Sequence, residues 1–280
     1  LGALRRVTDD GLLITSHIDG SQHHLSPEAV IGYQEALGVD IAMVLDVCPP
    51  RPGDRDEVAS AVKRTLSWSR IQADLHRARG GIESGQALFA IVQGGTFPDL
   101  REECARALLD SGFDGFAVGG VSVGEGHEAM MAGVDLSIPW LPPDKIRYLM
   151  GVGTPRDLVE AVARGVDLFD CVFPTRSGRF GTALTWKGRL HLLNARFKAD
   201  PSPIDPDCPC EACASGVPRG ALRAGFQSKE LLPPILVSTH NLHFILDLMA
   251  RMRDSISAGE FEELRARVGK AYPAEPVSVG

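Results

Sequence analysis

No run of eighteen apolar residues occurs anywhere in the 280-residue sequence, so no membrane-spanning helix is expected. The first residue is Leu1, with no basic leader and no short apolar core behind it, so a secretory signal is not expected either. Leu1 itself reads as a cut rather than a natural start. No internal repeat or low-complexity stretch stands out. Positive charge is in deficit: 29 Lys and Arg against 36 Asp and Glu give a formal net charge of −7. That balance argues weakly against a nucleic-acid partner, since phosphates are held by Lys and Arg. Cysteine is sparse at six, and without a secretory context disulfides are not expected. What is plentiful is core material, with 44% of residues hydrophobic, and the length fits a single α/β barrel.

The charge deficit is uneven. Arg176, Arg179, Lys187, Arg189, Arg196 and Lys198 follow one another with no acid among them. A local cationic stripe of this kind can bind a polyanion on an acidic protein; the alternative is a solvated basic face.

Apolar runs of strand length alternate with helical stretches. The runs cover 41–47, 87–93, 115–120, 146–152 and 168–173, and helices are predicted near 55–79, 98–111, 126–134 and 155–164. Apolar strands separated by helices imply parallel strands buried on both faces. Asp46, Gln93, Gly119-Gly120, Gly151 to Gly153 and Asp170 fall within or at the end of these runs. Reactive groups collect at the C-terminal ends of strands in a β/α (TIM-type) barrel, whereas an open doubly wound sheet gathers them at one switch point. The expected fold class is therefore α/β, a β/α barrel. Only five of eight strands can be counted, so it is expected to be incomplete at its N-terminal side. Ahead of the runs, residues 12–25 read as two short strands about Asp19-Gly20, and Ser26-Pro27-Glu28 opens a helix. After Asp170, residues 174–200 read as short antiparallel strands. A helix from 241 to 255 would carry Leu242, Ile245, Leu246 and Met249 on one face. The expected division is residues 1–200 for the partial barrel, 201–240 for an inserted zinc-binding subdomain, and 241–280 for the closing helix and tail.

Cys208, Cys210 and Cys213 crowd into six residues and His240 follows. Three thiolates and an imidazole suit tetrahedral zinc, and four protein ligands leave no open position, so the ion should be structural, one per chain. The alternative is three free thiols. Cys48, Cys104 and Cys171 read as buried thiols. Asp170, flanked by Phe169 and Cys171, is expected to be a buried carboxylate, either ion-paired to an arginine such as Arg176 or catalytic, as a nucleophile at a sugar anomeric carbon. Asp46 could instead cap a turn. Together with Gln93 and bare backbone at Gly119-Gly120, it offers acceptors, a carboxamide and N–H groups that suit a purine edge.

The strings SHIDGSQHHLSPE, IVQGG, GFDGFAVGGVSVGEG, YLMGVGTP, GVDLFDCVFPTRSGRFGTALT, NARF, CPCEAC and HNLHF resemble the bacterial tRNA-guanine transglycosylases over nearly the whole chain. That resemblance implies an irregular β/α barrel with a zinc subdomain near its end. It implies a cytoplasmic pentosyltransferase of queuosine biosynthesis, which replaces guanine at the wobble position of tRNA by preQ1, a 7-aminomethyl-7-deazaguanine. By motif, Asp170 would form a covalent ribosyl ester, and Asp46, Gln93 and Gly120 would hold the base. Val123, where users of the bulkier queuine carry glycine, would narrow the pocket to preQ1. Gly151, Val152, Gly153, Thr154, Pro155, Arg156 and Asp157, with Thr175, Arg176, Ser177, Gly178 and Arg179, would touch the anticodon loop. Cys208, Cys210, Cys213 and His240 would hold the zinc. The expected partners are tRNA, guanine, preQ1 and a second copy in a homodimer, with no membrane.

Three departures stand out. Val47 replaces an acid, which would alter the support of Asp46. The stretch 216–226 replaces an aromatic- and His-containing helix with a Gly-, Pro- and Ala-containing segment, in which Gly and Pro weaken helix formation. The Asp-Ser-Gly-Gly-Phe-Gln motif, with its second catalytic aspartate, belongs ahead of Leu1, so residues 1–280 alone are expected to exchange bases poorly. Competing readings are a non-catalytic tRNA-binding subunit, an archaeal-type transglycosylase acting elsewhere in tRNA, and a zinc hydrolase barrel, the last disfavoured by the closed metal cluster.

Overall fold

The structure is a computed structural model that describes residues 5–49, 53–121 and 126–274. Val123 therefore lies outside the described residues. The chain forms two compact units, one of Leu1–Met150 with Ala161–Leu168, the other of Gly151–Glu160 with Phe169–Gly280.

The first unit begins with an antiparallel sheet of β1 (Arg5–Val7), β2 (Leu12–Thr15) and β3 (Gln22–Leu25). β2 and β3 pair as expected, with Thr15 opposite Gln22, but their connection is six residues long rather than a two-residue turn. The Asp19 carboxylate accepts from Ser21 N at 3.1 Å and Ser21 Oγ at 2.7 Å, which spreads the reversal over residues 16–21. Helix α1 (Pro27–Leu37) starts as predicted, with Ser26 Oγ accepting from Ala29 N, and ends at Gly38 in the left-handed region.

The next strands are β4 (Ile41–Met43), β5 (Ala87–Val92), β6 (Gly115–Val118), β7 (Ile146–Leu149) and β8 (Leu168–Phe169), alternating with α2 (Arg55–Ala78), α3 (Pro98–Leu109), α4 (His127–Ser137) and α5 (Pro155–Val162). The strands lie side by side in chain order, and β4 to β7 pair in parallel. A doubly wound sheet would reverse its order at a switch point; an unbroken sequential order is that of a β/α barrel. The curled, half-barrel sheet is the fold class expected from the sequence. Leu88 to Val92 of β5 and Phe116 to Val118 of β6 are buried throughout, as parallel strands covered on both faces must be. Each strand stops short of its polar residues. Asp46, Gln93 and Gly119-Gly120 thus stand in the loops that leave the C-terminal ends of β4, β5 and β6.

In the second unit, residues 173–179 are helical (α6, Phe173–Arg179), not extended as expected. Pro174 in the first turn pre-sets helical φ, and Gly178 lets α6 approach α9, where a Cβ would stand 2.8 Å from Ser238. The antiparallel hairpin β9 (Thr182–Thr185) and β10 (Gly188–His191) is as predicted for the remainder. Then come α7 (Glu211–Ala214), α8 (Arg219–Gln227), α9 (Leu232–Ala258) and α10 (Phe261–Ala271). Despite its glycines, the departing stretch does form helix α8. Leu222 is buried, and Gly225 packs so close to Pro233 that a Cβ would clash at 2.6 Å, so tertiary contact overrides propensity. The closing helix starts nine residues before the expected 241. Its buried face is Val237, His240, Asn241, Phe244, Leu248 and Met252, while Leu242 and Leu246 are exposed.

Candidate functional site

Within the first unit, two neighbouring strand ends bring Asp46 and Gln93 together. Gln93 Nε2 donates to Asp46 Oδ2 at 2.6 Å. The peptides on either side of Asp46 are fastened to α2, Leu45 N to Gln72 Oε1 at 2.7 Å and Val47 N to Thr65 Oγ1 at 3.0 Å. Val47 itself packs on Ala61 and Trp68, so the position that departs from the family pattern faces an apolar cluster here. Burial pushes the Asp46 carboxyl above the ordinary carboxylate range, although the Gln93 amide and Arg5 act against that rise. Gln93 is only 1% exposed, and its Oε1 is buried without a partner among the described residues. The third strand end closes on the same amide. A Cβ at Gly119 would stand 2.6 Å from Gln93 Nε2, and one at Gly120 would stand 2.7 Å from Oε1. Gly120 also holds φ at +65°, so both space and backbone conformation require glycine. The result is a buried amide with an open acceptor, a carboxylate of raised pKa, and bare backbone, all at one end of the sheet.

In the second unit, Asp170 departs from expectation. It follows β8 and is exposed rather than buried. Its Oδ1 accepts from Gly151 N at 2.7 Å. No desolvation penalty has to be offset; the carboxylate is accessible and its Oδ1 is held by a backbone N–H. Gly153 allows the close approach of Cys171, whose Sγ would lie 2.6 Å from a Cβ there. Of the remaining residues in this loop, Val152 and Pro155 are buried, and Thr154 caps α5, its Oγ1 accepting from Asp157 N at 3.2 Å and donating to Asp157 Oδ2 at 2.6 Å. Arg156 is half-buried. On α6, Arg176 and Arg179 are exposed, Thr175 and Ser177 bond back to their own helix, and Gly178 is buried. Arg189 is half-buried with its guanidinium 5.6 Å from the Phe173 ring, while Lys187, Arg196 and Lys198 are exposed.

The four predicted metal ligands converge. The ligand atoms of Cys208, Cys210, Cys213 and His240 all lie within 4.8 Å of one another. Cys210 Sγ and Cys213 Sγ stand 3.5 and 3.3 Å from His240 Nδ1. A tetrahedron with metal–ligand bonds of about 2.0–2.3 Å has edges near this length, so the group fits a metal ion. Cys210 caps α7, Cys213 lies within it, and His240 comes from α9. His240 Nε2 bonds Leu184 O at 2.7 Å, which puts the ring proton on Nε2 and leaves Nδ1 as the lone-pair donor. Burial lowers the His240 pKa, favouring the neutral imidazole that a metal requires. Burial pushes the Cys208 thiol up to about 11 and raises Cys213 as well, so without a cation the pocket disfavours thiolates.

Asn241 was not foreseen. It is fully buried; its Oδ1 accepts from Leu184 N at 2.9 Å, and its Nδ2 donates to Pro174 O and Thr182 O, each at 2.9 Å. The available signal was an amide, a poor helix former, directly after a metal-ligating histidine. Arg101, fully buried on α3, was also missed.

A strand-end polar site on a sequential parallel sheet, and a Cys3His group in the second unit that could hold a metal ion, fit a β/α-barrel enzyme. The model of the family described as queuine tRNA-ribosyltransferase matches residues 1–274, and the chain belongs to that family. A queuine tRNA-ribosyltransferase of Ruegeria sp. strain TM1040 is 49% identical over 262 residues, which cover 94% of this chain and 68% of that protein. Those of Halothermothrix orenii and Thermoanaerobacter pseudethanolicus are 45% and 46% identical over 272 residues, covering 97% of this chain and 71% of each relative. Among the described residues, no helix is long and apolar enough to cross a membrane.

Proposed function

We propose that this chain supplies the base pocket and the nucleophile of a tRNA-guanine transglycosylase, the activity that replaces guanine at the wobble position of tRNA by preQ1. The observation that carries the reading is the arrangement at the ends of β4, β5 and β6. Asp46 and the unpartnered Gln93 Oε1 accept from the N–H edge of a purine, and backbone at Gly120 donates to its carbonyl. The raised pKa of Asp46 marks a carboxylate held out of water, where a bound base compensates it.

The nucleophile in this reading is Asp170. Its carboxylate attacks the ribose anomeric carbon and the glycosidic bond breaks, with the electron pair leaving on guanine, which takes up a proton. The resulting ribosyl ester is displaced by the ring nitrogen of the incoming base, which loses its proton, and the carboxylate is regenerated. Exposure of Asp170 suits this role, because the nucleotide must be swung out of its stack to reach it. Arg176 and Arg179 would hold anticodon-loop phosphates. The metal is assigned as zinc on the chemistry of three thiolates and an imidazole. When bound it supplies charge and cross-linking, not a reacting position. The reading further takes the protein to be a cytoplasmic homodimer and takes Val123 to exclude queuine, which Val123→Gly should admit.

The test is covalent trapping. The enzyme mixed with substrate tRNA should give a band of retarded mobility in a denaturing gel, and Asp170→Asn should abolish it. An undiminished band in that variant would remove Asp170 from the mechanism.

A further inference from the structure

Arg101 lies behind the proposed base pocket, fully buried, and it reaches the backbone of two of the loops that form it. Its Nε donates to Gly95 O at 2.8 Å, Nη1 to Ser137 Oγ at 3.0 Å, and Nη2 to Gly119 O at 3.1 Å. Ser137, also buried, passes its own proton to Gly133 O at 2.8 Å. Glycine makes the fit close: a Cβ at Gly94 would stand 2.5 Å from Arg101 Cγ. A buried guanidinium is expensive unless its donors are matched, and these acceptors lie in a fixed fork that only arginine spans.

The bond to Gly119 O has a geometric consequence. A trans peptide is planar, with its C=O and N–H pointing in opposite directions. Arg101 draws the Gly119 carbonyl toward itself, so the N–H of Gly120 in the same peptide must point away from Arg101. That N–H has no partner among the described residues. Gln93 lies against the two glycines, its Nε2 closest to a Cβ position at Gly119 and its Oε1 to that at Gly120. The preceding peptide is anchored too, since Gly119 N donates to Val92 O at 2.9 Å as an extension of the sheet.

We propose that Arg101 is a positioning residue for base recognition: by holding Gly119 O it fixes the Gly120 N–H as a donor to the 6-carbonyl of the bound purine. This rests on the guanine-pocket reading above. Arg101 touches no substrate. It selects which face of one peptide the base meets, and so determines whether a 6-oxo purine is distinguished from one with a weaker acceptor at that position.

The probes are guanine and 6-thioguanine, which keeps the N–H edge and replaces the carbonyl oxygen by sulfur, a weak acceptor. Binding of each free base is measured by equilibrium dialysis. The parent protein should prefer guanine by about tenfold, the worth of one well-placed buried hydrogen bond. Arg101→Met should weaken guanine binding by about tenfold, leave 6-thioguanine nearly unchanged, and so abolish the preference. Arg101→Lys, able to reach one acceptor at a time, and Ser137→Ala, which removes one anchor without burying a charge, should fold even if the methionine variant does not. Each should lower the preference by about two- to threefold. Full preference retained in Arg101→Met, or in both milder variants, overturns the inference, because a merely structural role would lower stability without changing selectivity. Asp46→Asn separates the two layers. If it binds guanine as tightly as the parent, the pocket reading itself fails. If it loses guanine while the Arg101 variants keep their selectivity, only the role of Arg101 falls.

Discussion

Asn241→Ala should be among the most destabilising single substitutions in the second unit, and the structure says by how much. The side chain is fully buried and bonds three backbone groups on two elements: Leu184 N and Thr182 O on β9, and Pro174 O on α6, each at 2.9 Å. Ser177 Oγ keeps its 2.7 Å bond to Phe173 O and makes a second, 3.2 Å bond to Pro174 O, so neither group is left bare. Leu184 N–H and Thr182 O lose the partner that Asn241 supplies. Each buried backbone group left unsatisfied costs about 1–3 kcal/mol, so the loss should be about 4 kcal/mol, a large part of a typical domain's net stability of about 5–15 kcal/mol. Asn241→Leu fills the same volume without restoring any bond and should be as damaging. The assay is urea unfolding followed by far-ultraviolet circular dichroism at fixed free zinc, with metal content measured on the same samples. Since Leu184 O also fixes the ring of His240, metal affinity should fall by about tenfold or more. A loss below about 1 kcal/mol for the alanine variant, or rescue by leucine, would mean that packing rather than hydrogen bonding holds this junction.

Zinc should bind at one equivalent, and chelation should lower the melting temperature. Full zinc occupancy in Cys210→Ala would contradict the ligand assignment. Asp46 gives a pH test. Its folded-state pKa is raised, so the native chain binds the proton more tightly than the unfolded chain does. Its contribution is therefore most favourable below the ordinary carboxylate range and is lost as pH rises through the raised value. Asp46→Asn should accordingly raise the melting temperature at pH 7 while removing guanine binding, and should flatten the rise in guanine affinity that ionisation of Asp46 produces in the parent. A variant no more stable than the parent at pH 7 would argue against a carboxylate strained by burial.

The strand-end residues were legible because period and position agree. Continuous apolar runs place β5 and β6 in the core, and a polar residue that ends such a run has little choice but the loop that follows. The same reasoning misread Asp170, because LFDCVF looks like one strand. In the structure β8 stops at Phe169, and Phe173 already belongs to α6, where Pro174 is buried. Pro174 was the sign that the run changes character. The face of α9 was misassigned for a different reason. The periodic set Leu242, Ile245, Leu246 and Met249 is apolar, whereas the buried face includes His240 and Asn241. Hydrophobicity cannot find a face whose inward groups are polar and fully bonded. The metal ligands were legible because thiol spacing is chemistry rather than packing. Arg101 and Asn241 were not, because what gives them meaning is the set of carbonyls around them, which only the fold assembles.

His240 and Asn241 also explain why a structural ion belongs in this part of the chain. They are consecutive on α9, and between them they hold both polar groups of one residue: His240 Nε2 bonds Leu184 O, and Asn241 Oδ1 accepts from Leu184 N. Asn241 reaches on to Pro174 O in the first turn of α6, and Gly178 brings the far end of that helix against Ser238. A metal bound at His240 Nδ1 would therefore fix a ring whose opposite edge fixes β9, while the next side chain fixes α6. α6 carries Arg176 and Arg179, and its chain neighbour on the other side is the loop of Asp170. Short helices of seven residues are marginal by themselves in water. Anchored at both ends to α9, this one can hold two exposed guanidinium groups at a constant distance from the carboxylate that precedes it. Under the proposed function, a bound ion would contribute the rigidity of a platform that presents cations to a polyanion, without any part in the chemistry.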